Sequence, residues 1–160
     1  MNLKLNGFSV DQRIETLMRR KDWPGRRTDY AWLNRFPPHP NRGKLPFVEF
    51  CSIDHAKFEN SAMQQGRLLD LVKGGGAQQV LNGKPDADFP PGDFDPWHGY
   101  LIGFTEYCDS GIFVDLRPPE PRIIYDNLNP DGAIHATSFD SIDEFVVFYE
   151  LVHGRSGEGG

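Results

Sequence analysis

The chain has 160 residues, a length typical of one domain, and carries 17 Lys+Arg against 23 Asp+Glu for a net charge of −6. Its two cysteines, Cys51 and Cys108, stand far apart and form no CxxC pair, which excludes a disulfide scaffold and argues against a structural zinc site. No apolar run approaches the ~20 residues of a membrane span, and residues 1–7 lack the apolar core of a signal peptide. We therefore expect a cytoplasmic protein with a single domain over residues 1–154 and a disordered tail over 155–160.

The negative charge is concentrated in the second half of the sequence. Residues 97–154 contain ten acidic side chains and only Arg117 and Arg122 as basic ones. Such a segment repels nucleic acid and attracts a basic protein partner. The alternative interpretation is a solvated acidic surface that serves only solubility.

The first half predicts two helices separated by a loop and a strand. Ser9 and Gln12 form a capping-box pattern that predicts a helix over 9–21. Four prolines predict an extended loop over 34–46, and the β-prone residues that follow predict a strand over 47–53. Asp54 is expected to cap a second helix over about 55–72.

The second half alternates short β-prone segments with turn residues and ends in a helix. Strands are predicted at 100–105, 112–116, 122–126 and 133–136. Ser141 and Glu144 form a capping box for the helix, and Gly154 ends it. The expected apolar positions of this helix are Ile142, Phe145, Val146, Tyr149 and Val152. Successive strands followed by a helix predict an α+β fold.

Catalytic and metal-binding motifs are sparse, so no cofactor and no metal are predicted. The five histidines are scattered without metal-ligand spacing, and the glycines at 74–76 lack the lysine that a phosphate-binding loop requires. Asp109, Asp115 and Asp126 could gather around Mg²⁺ only as a minor alternative, because Asp115 is expected to point from its strand toward solvent. By elimination, the sequence favours a binding module over an enzyme.

The segment from Trp97 to Val152 follows an ordered pattern of strands, acidic turns and a capped helix. An apolar strand at 100–105 is followed by a turn at 108–111 and by a strand over 112–116 that contains Asp115. The next strand, at 122–126, is followed by an acidic turn and then by the capped helix. This pattern resembles the SUKH superfamily (the SMI1/KNR4 family). The resemblance covers roughly a third of the chain, and residues 23–46 have no counterpart in the family pattern.

The resemblance implies an α+β fold with a single mixed or mostly antiparallel sheet flanked by helices, and no shared catalytic residues. It also implies a function, since bacterial members of the superfamily are commonly immunity proteins that bind and block a cognate toxin domain, often a nuclease. Eukaryotic members are regulatory or scaffold proteins.

Together, the resemblance and the acidic charge predict an immunity protein that binds a cognate protein toxin and neither nucleic acid nor membrane. Carboxylates of the second half would face the basic cleft of the toxin. The predicted partner-binding residues are Asp109, Asp115, Glu120, Asp126, Asp131 and Trp97. Two alternatives stay open: a noncatalytic regulatory or scaffold protein, and a small metal-dependent hydrolase that uses Asp115 or His135.

Overall fold

The computed structural model of the protein describes residues 3–36, 47–62, 98–105, 110–126 and 135–155, and the statements below concern these residues. They form eight strands and four helices. The strands are β1 (Lys4–Leu5), β2 (Phe8–Ser9), β3 (Gly25–Arg27), β4 (Val48–Phe50), β5 (Gly99–Thr105), β6 (Ser110–Asp115), β7 (Arg122–Asp126) and β8 (His135–Phe139). The helices are α1 (Gln12–Met18), α2 (Tyr30–Leu33), α3 (residues 53–62) and α4 (Ile142–His153).

One antiparallel sheet organises the fold. Its strand order is β3-β4-β5-β6-β7-β8, so each strand lies beside its neighbours in the sequence. Every pairing in the sheet is antiparallel. The predicted α+β fold with a mostly antiparallel sheet flanked by helices is confirmed.

An aromatic core holds α2 and α4 against one face of this sheet. The Trp32 ring of α2 lies 5.0 Å from Phe50 of β4, and the Phe145 ring of α4 lies 5.9 Å from the same side chain. Trp23 and Tyr149 stack at 5.6 Å and are fully buried. These contacts fix α2 and α4 over β4 and bury large apolar surfaces, the main favourable term in folding.

The N-terminus forms a hairpin where the sequence predicted the start of a helix. Asn6 and Gly7 both have positive φ, as a two-residue hairpin turn requires, and they join β1 to β2. Ser9 therefore lies in a strand, and Asp11 caps α1 by accepting a hydrogen bond from the Arg13 amide. The helix predicted over 9–21 is shorter than expected because the hairpin pairing uses its first residues.

Two elements in the unaligned segment after Trp23 were not predicted. β3 pairs with β4 at the sheet edge, and α2 is capped by Asp29, whose side chain accepts a hydrogen bond from the Trp32 amide. α3 begins at residue 53, since Ser52 rather than Asp54 occupies the capping position and accepts from the His55 amide. The helix prediction beyond residue 62 and most of the predicted 34–46 loop lie outside the described residues.

The strands and the last helix of the second half agree closely with the sequence patterns. β7 has the predicted bounds, β5 begins one residue earlier than predicted, and β6 begins two residues earlier and ends one residue earlier. β8 ends three residues later than predicted, and its predicted first residues, 133 and 134, lie outside the described residues. Ser141 caps α4 through the Glu144 amide at 3.1 Å, and Gly154 ends it with φ of 90°. Within the described residues, the helices are too short or too polar to cross a membrane.

Asn60 of α3 completes β5 at the point where β4 ends. Its buried side-chain amide donates to the Leu101 carbonyl and accepts from the Leu101 amide, each at 2.8 Å. It also donates to the Ala56 carbonyl of its own helix. The side chain thus takes the place of a neighbouring strand and prevents two buried peptide groups from remaining unpaired.

Candidate functional site

The structure describes three of the six predicted partner-binding residues, Asp115, Glu120 and Asp126. Glu120 is exposed in the segment between β6 and β7. Asp126, at the other end of β7, pairs in register with His135 of β8. Trp97, Asp109 and Asp131 lie outside the described residues.

Asp115 is fully buried, so the expectation that it faces solvent was wrong. Arg117 donates to both of its carboxylate oxygens at 2.8 and 2.9 Å, and Arg122 donates to Oδ2 at 2.9 Å. The sheet is covered here on both faces, since Phe113 and Ile124, which point with Asp115 away from α4, are buried too. Strand alternation identifies the face of a residue but not whether that face is solvated.

The carboxylate of Asp115 serves a structural role. Burial opposes its ionisation, but hydrogen bonds from the two arginines outweigh this effect and lower the pKa of the Asp115 carboxyl. Both oxygens are occupied, which leaves neither free for a metal ion or a partner in this arrangement.

Two of the three aspartates considered for Mg²⁺ binding, Asp115 and Asp126, lie at opposite ends of β7, and the third, Asp109, is outside the described residues. Asp115 pairs with Arg122 at one end of β7, whereas Asp126 is the last residue of that strand, about 14 Å away at strand rise. Among the described residues, no group of three His, Cys, Asp or Glu side chains has metal-binding geometry.

Two acidic side chains at the start of α4 form ion pairs with arginines of the first half. Arg13 of α1 contacts Asp143 at 2.7 Å, and Arg35 contacts Glu144 at 2.8 Å. Asp143 nevertheless remains 71% exposed at its side chain. The charge difference between the two halves of the sequence is thus reduced at this contact.

Apolar side chains are exposed along the outer surface of α4. Val147 is 55% exposed and Leu151 is 79% exposed. They lie one turn apart, and Asp143 lies one turn before Val147, so the three residues share one side of the helix. We name this surface, Asp143, Val147 and Leu151, the α4 outer face.

A groove adjoins this face between α1 and α4. It has a volume of about 290 Å³, and its lining includes Leu17 of α1 with Val146 and Glu150 of α4. Arg13 and Arg20 of α1 also line it. The groove and the α4 outer face are therefore formed by different residues of the same helix.

A buried polar cluster lies at the C-terminal end of α4. Arg27 of β3 donates to the Tyr149 hydroxyl at 3.1 Å and to His153 Nε2 at 3.3 Å. The Tyr149 hydroxyl donates in turn to Asp22 at 2.9 Å, and the Trp32 indole donates to His153 Nε2 at 2.9 Å. Burial lowers the pKa of the Arg27 guanidinium and raises the pKa of the Tyr149 hydroxyl. These bonds anchor α4 to α2 and to the sheet edge.

The sequence contained a detectable indication of the α4 outer face. Three large apolar residues of the helix, Val147, Phe148 and Leu151, fall outside its predicted core positions. Phe148 is half-buried against Trp32 of α2, with ring centroids 4.8 Å apart, whereas Val147 and Leu151 are exposed. Phe145 and Tyr149, which belong to those positions, are fully buried. An apolar residue off the core stripe of an amphipathic helix is therefore a candidate contact residue.

No protein-family model matches this chain, and no curated protein and no solved structure matches it significantly.

Proposed function

We propose that this protein is an immunity protein of the cytoplasm that binds a cognate bacterial toxin domain and neutralises it by stoichiometric inhibition. The observation that carries the proposal is the exposure of Val147 and Leu151 side by side on α4. Large apolar side chains grouped on a rigid helix are typical anchors of protein interfaces, where burial of a few such residues supplies most of the binding energy.

The charge of the chain supports a basic partner. The net charge is −6, Asp140 is exposed just before α4, and Asp143, one turn before Val147, stays 71% exposed although Arg13 contacts it. A nuclease toxin holds phosphates in a basic cleft, so an apolar ridge bordered by carboxylates complements it and accelerates its capture. The α4 outer face replaces Asp115 in the proposed interface because that carboxylate is buried.

The experiment compares three tagged proteins as baits in cells of the source organism. Wild type and Leu151→Glu differ in the α4 outer face, while Phe58→Glu places the same charge at a 71% exposed apolar residue on α3. Captured proteins are identified by mass spectrometry, and each candidate is then expressed alone and together with the three proteins.

The proposal expects one stoichiometric partner that binds wild type and Phe58→Glu but not Leu151→Glu. This partner stops growth when it is expressed alone, and co-expression of wild type or Phe58→Glu restores growth. A harmless multiprotein assembly that depends on Leu151 would instead favour the regulatory or scaffold function. Capture that is indifferent to Leu151→Glu would overturn the assignment of the surface.

A further inference from the structure

We propose that His153 is a pH-sensitive clamp, and that protonation of its imidazole in mildly acidic solution releases the last turn of α4 from the sheet edge. The released turn carries Leu151, so acid would also weaken partner binding. That second consequence rests on the proposed function, whereas the conformational release does not.

The clamp follows from two hydrogen bonds that converge on one ring nitrogen. His153 Nε2 accepts from Trp32 Nε1 at 2.9 Å and from Arg27 Nε at 3.3 Å. An indole and a guanidinium can only donate, so the nitrogen between them must be unprotonated. The neutral ring therefore carries its proton on Nδ1, and a second proton requires both contacts to break.

Packing holds the ring in this position. The imidazole stacks on Trp32 with ring centroids 5.7 Å apart and lies 4.5 Å from the Tyr149 ring. His153 is the last residue of α4, and the backbone leaves the helix at Gly154. Loss of the two hydrogen bonds thus acts on a helix end, which opens more easily than a helix interior.

Charged and titratable groups from every neighbouring element act on the imidazole. Arg27 of β3 and Arg20 after α1 repel a second positive charge, and Asp22 before β3 and Asp29 before α2 attract it. The Tyr149 hydroxyl lies one turn earlier on α4 and stays neutral because burial raises its pKa.

The Asp22 carboxylate also binds groups other than His153, which limits its attraction for a protonated imidazole. This carboxylate already accepts two bonds from Arg20, at 3.0 and 2.9 Å, and one from Tyr149. Burial and the Arg27 charge dominate and lower the pKa of His153.

The direction of the pH dependence follows from this environment. An unfolded or released His153 titrates near its ordinary pKa of about 6.5, while the clamped ring resists protonation to lower pH. As the pH falls below about 6.5, the released state takes up a proton that the clamped state does not. The equilibrium constant for opening then rises by up to about tenfold per pH unit, until the clamped ring also titrates.

Hydrogen exchange of the full chain, without any partner, tests the release directly. Exchange is measured from about pH 7.5 to about pH 5 and corrected for the intrinsic pH dependence of amide exchange. Wild type is compared with His153→Gln, which keeps an acceptor and does not titrate, and with His55→Gln. His55 lies on the α3 surface near Glu59 and serves as the matched control.

We expect acid to accelerate exchange at residues 150–154 in wild type and His55→Gln, by up to about tenfold per pH unit below about pH 6.5, and not in His153→Gln. β7 should keep its protection in all three proteins. Equal acceleration of exchange at residues 150–154 in wild type and His153→Gln would overturn the proposal. Acceleration in β7 equal to that at residues 150–154 would overturn it too.

A nitrogen-15 NMR titration of the wild-type histidines gives a test that needs no variant. The clamp requires a His153 pKa below about 6.5 and the tautomer with the proton on Nδ1. A ring protonated on Nε2 at neutral pH, or a pKa above about 6.5, would contradict it. These readouts stand even if no toxin is found. Loss of partner binding below about pH 6.5 in wild type and His55→Gln, but not in His153→Gln, would connect the clamp to the proposed function.

Discussion

Asp143 Oδ1 lies 2.7 Å from Arg13 Nη1, although the two residues are 130 positions apart in the sequence. The contact joins the N-terminal end of α4 to α1, so one carboxylate of the acidic half is paired with an arginine of the other half. The Arg35 contact to Glu144 repeats the arrangement on the side of α2. Part of the negative charge of the second half is therefore paired with arginines of the same chain. The exposed apolar residues of α4 thus indicate a binding surface more clearly than the acidic residues do.

Replacing Leu151 with Glu should leave folding intact. The side chain is 79% exposed, so its removal from the surface creates no cavity and buries no charge. The free energy of unfolding, measured by urea titration, should change by less than about 0.5 kcal/mol. Tyr149→Ala is the contrasting variant, since it empties a fully buried site and should lose about 3 kcal/mol or more. A large loss in Leu151→Glu would show that the α4 outer face is not a free surface.

Replacing Asp115 with Asn should be strongly destabilising. The change removes the negative charge that Arg117, whose side chain is 3% exposed, contacts at 2.8 Å. Breaking such a pair from one side costs about 3 kcal/mol, while Asp140→Asn at an exposed site should cost less than about 0.5 kcal/mol. Equal stability of the two variants in urea would contradict the structural role of Asp115.

The same carboxylate should govern part of the acid sensitivity of the wild type. Its pKa is lower in the folded state than in the unfolded chain, so its contribution is complete above about pH 5 and is lost as the pH falls below about 4. The free energy of unfolding of Asp115→Asn should therefore fall less steeply than that of wild type between about pH 4 and about pH 2. Parallel slopes would mean that Asp115 is not ionised in its arginine pair.

Replacing Asn60 with Ala should destabilise the sheet at β5. The change leaves the amide and the carbonyl of Leu101 without their partner in a buried location, at a cost of about 2–3 kcal/mol. Asn34→Ala is the control because that residue is exposed. Hydrogen exchange should locate the effect at Leu101, and protection of this amide equal to wild type would refute the pairing.

Replacing Gly103 with Ala should also be costly, for a steric reason. A Cβ atom at this position would lie 2.5 Å from the Glu49 carbonyl oxygen of the neighbouring strand. Because the obstacle is the backbone of β4, which pairs with β5 at Gly103, relief requires β4 and β5 to separate, at a cost of about 2 kcal/mol. Thermal unfolding tests this expectation. A variant as stable as wild type would show that the two strands are more loosely paired than described.

Local sequence patterns predicted the elements whose determinants are local. β5, β6 and β7 follow from β-prone segments between turn residues, and α4 follows from Ser141, Glu144 and Gly154, all of which act within a few positions. The α+β class follows from the order of these elements. The two-residue turn at Asn6 and Gly7 is an equally local pattern that was available in the sequence.

Tertiary structure alone decided which polar side chains are buried and what they contact. Asp115 is buried rather than exposed because both faces of the sheet are covered. Asn60 is important because it pairs with Leu101 of β5, 41 positions away in the sequence. His153 depends on Trp32 and Arg27, which are 121 and 126 positions earlier in the chain. A sequence pattern records the period of a segment, whereas burial and pairing depend on groups that only folding brings within hydrogen-bonding distance.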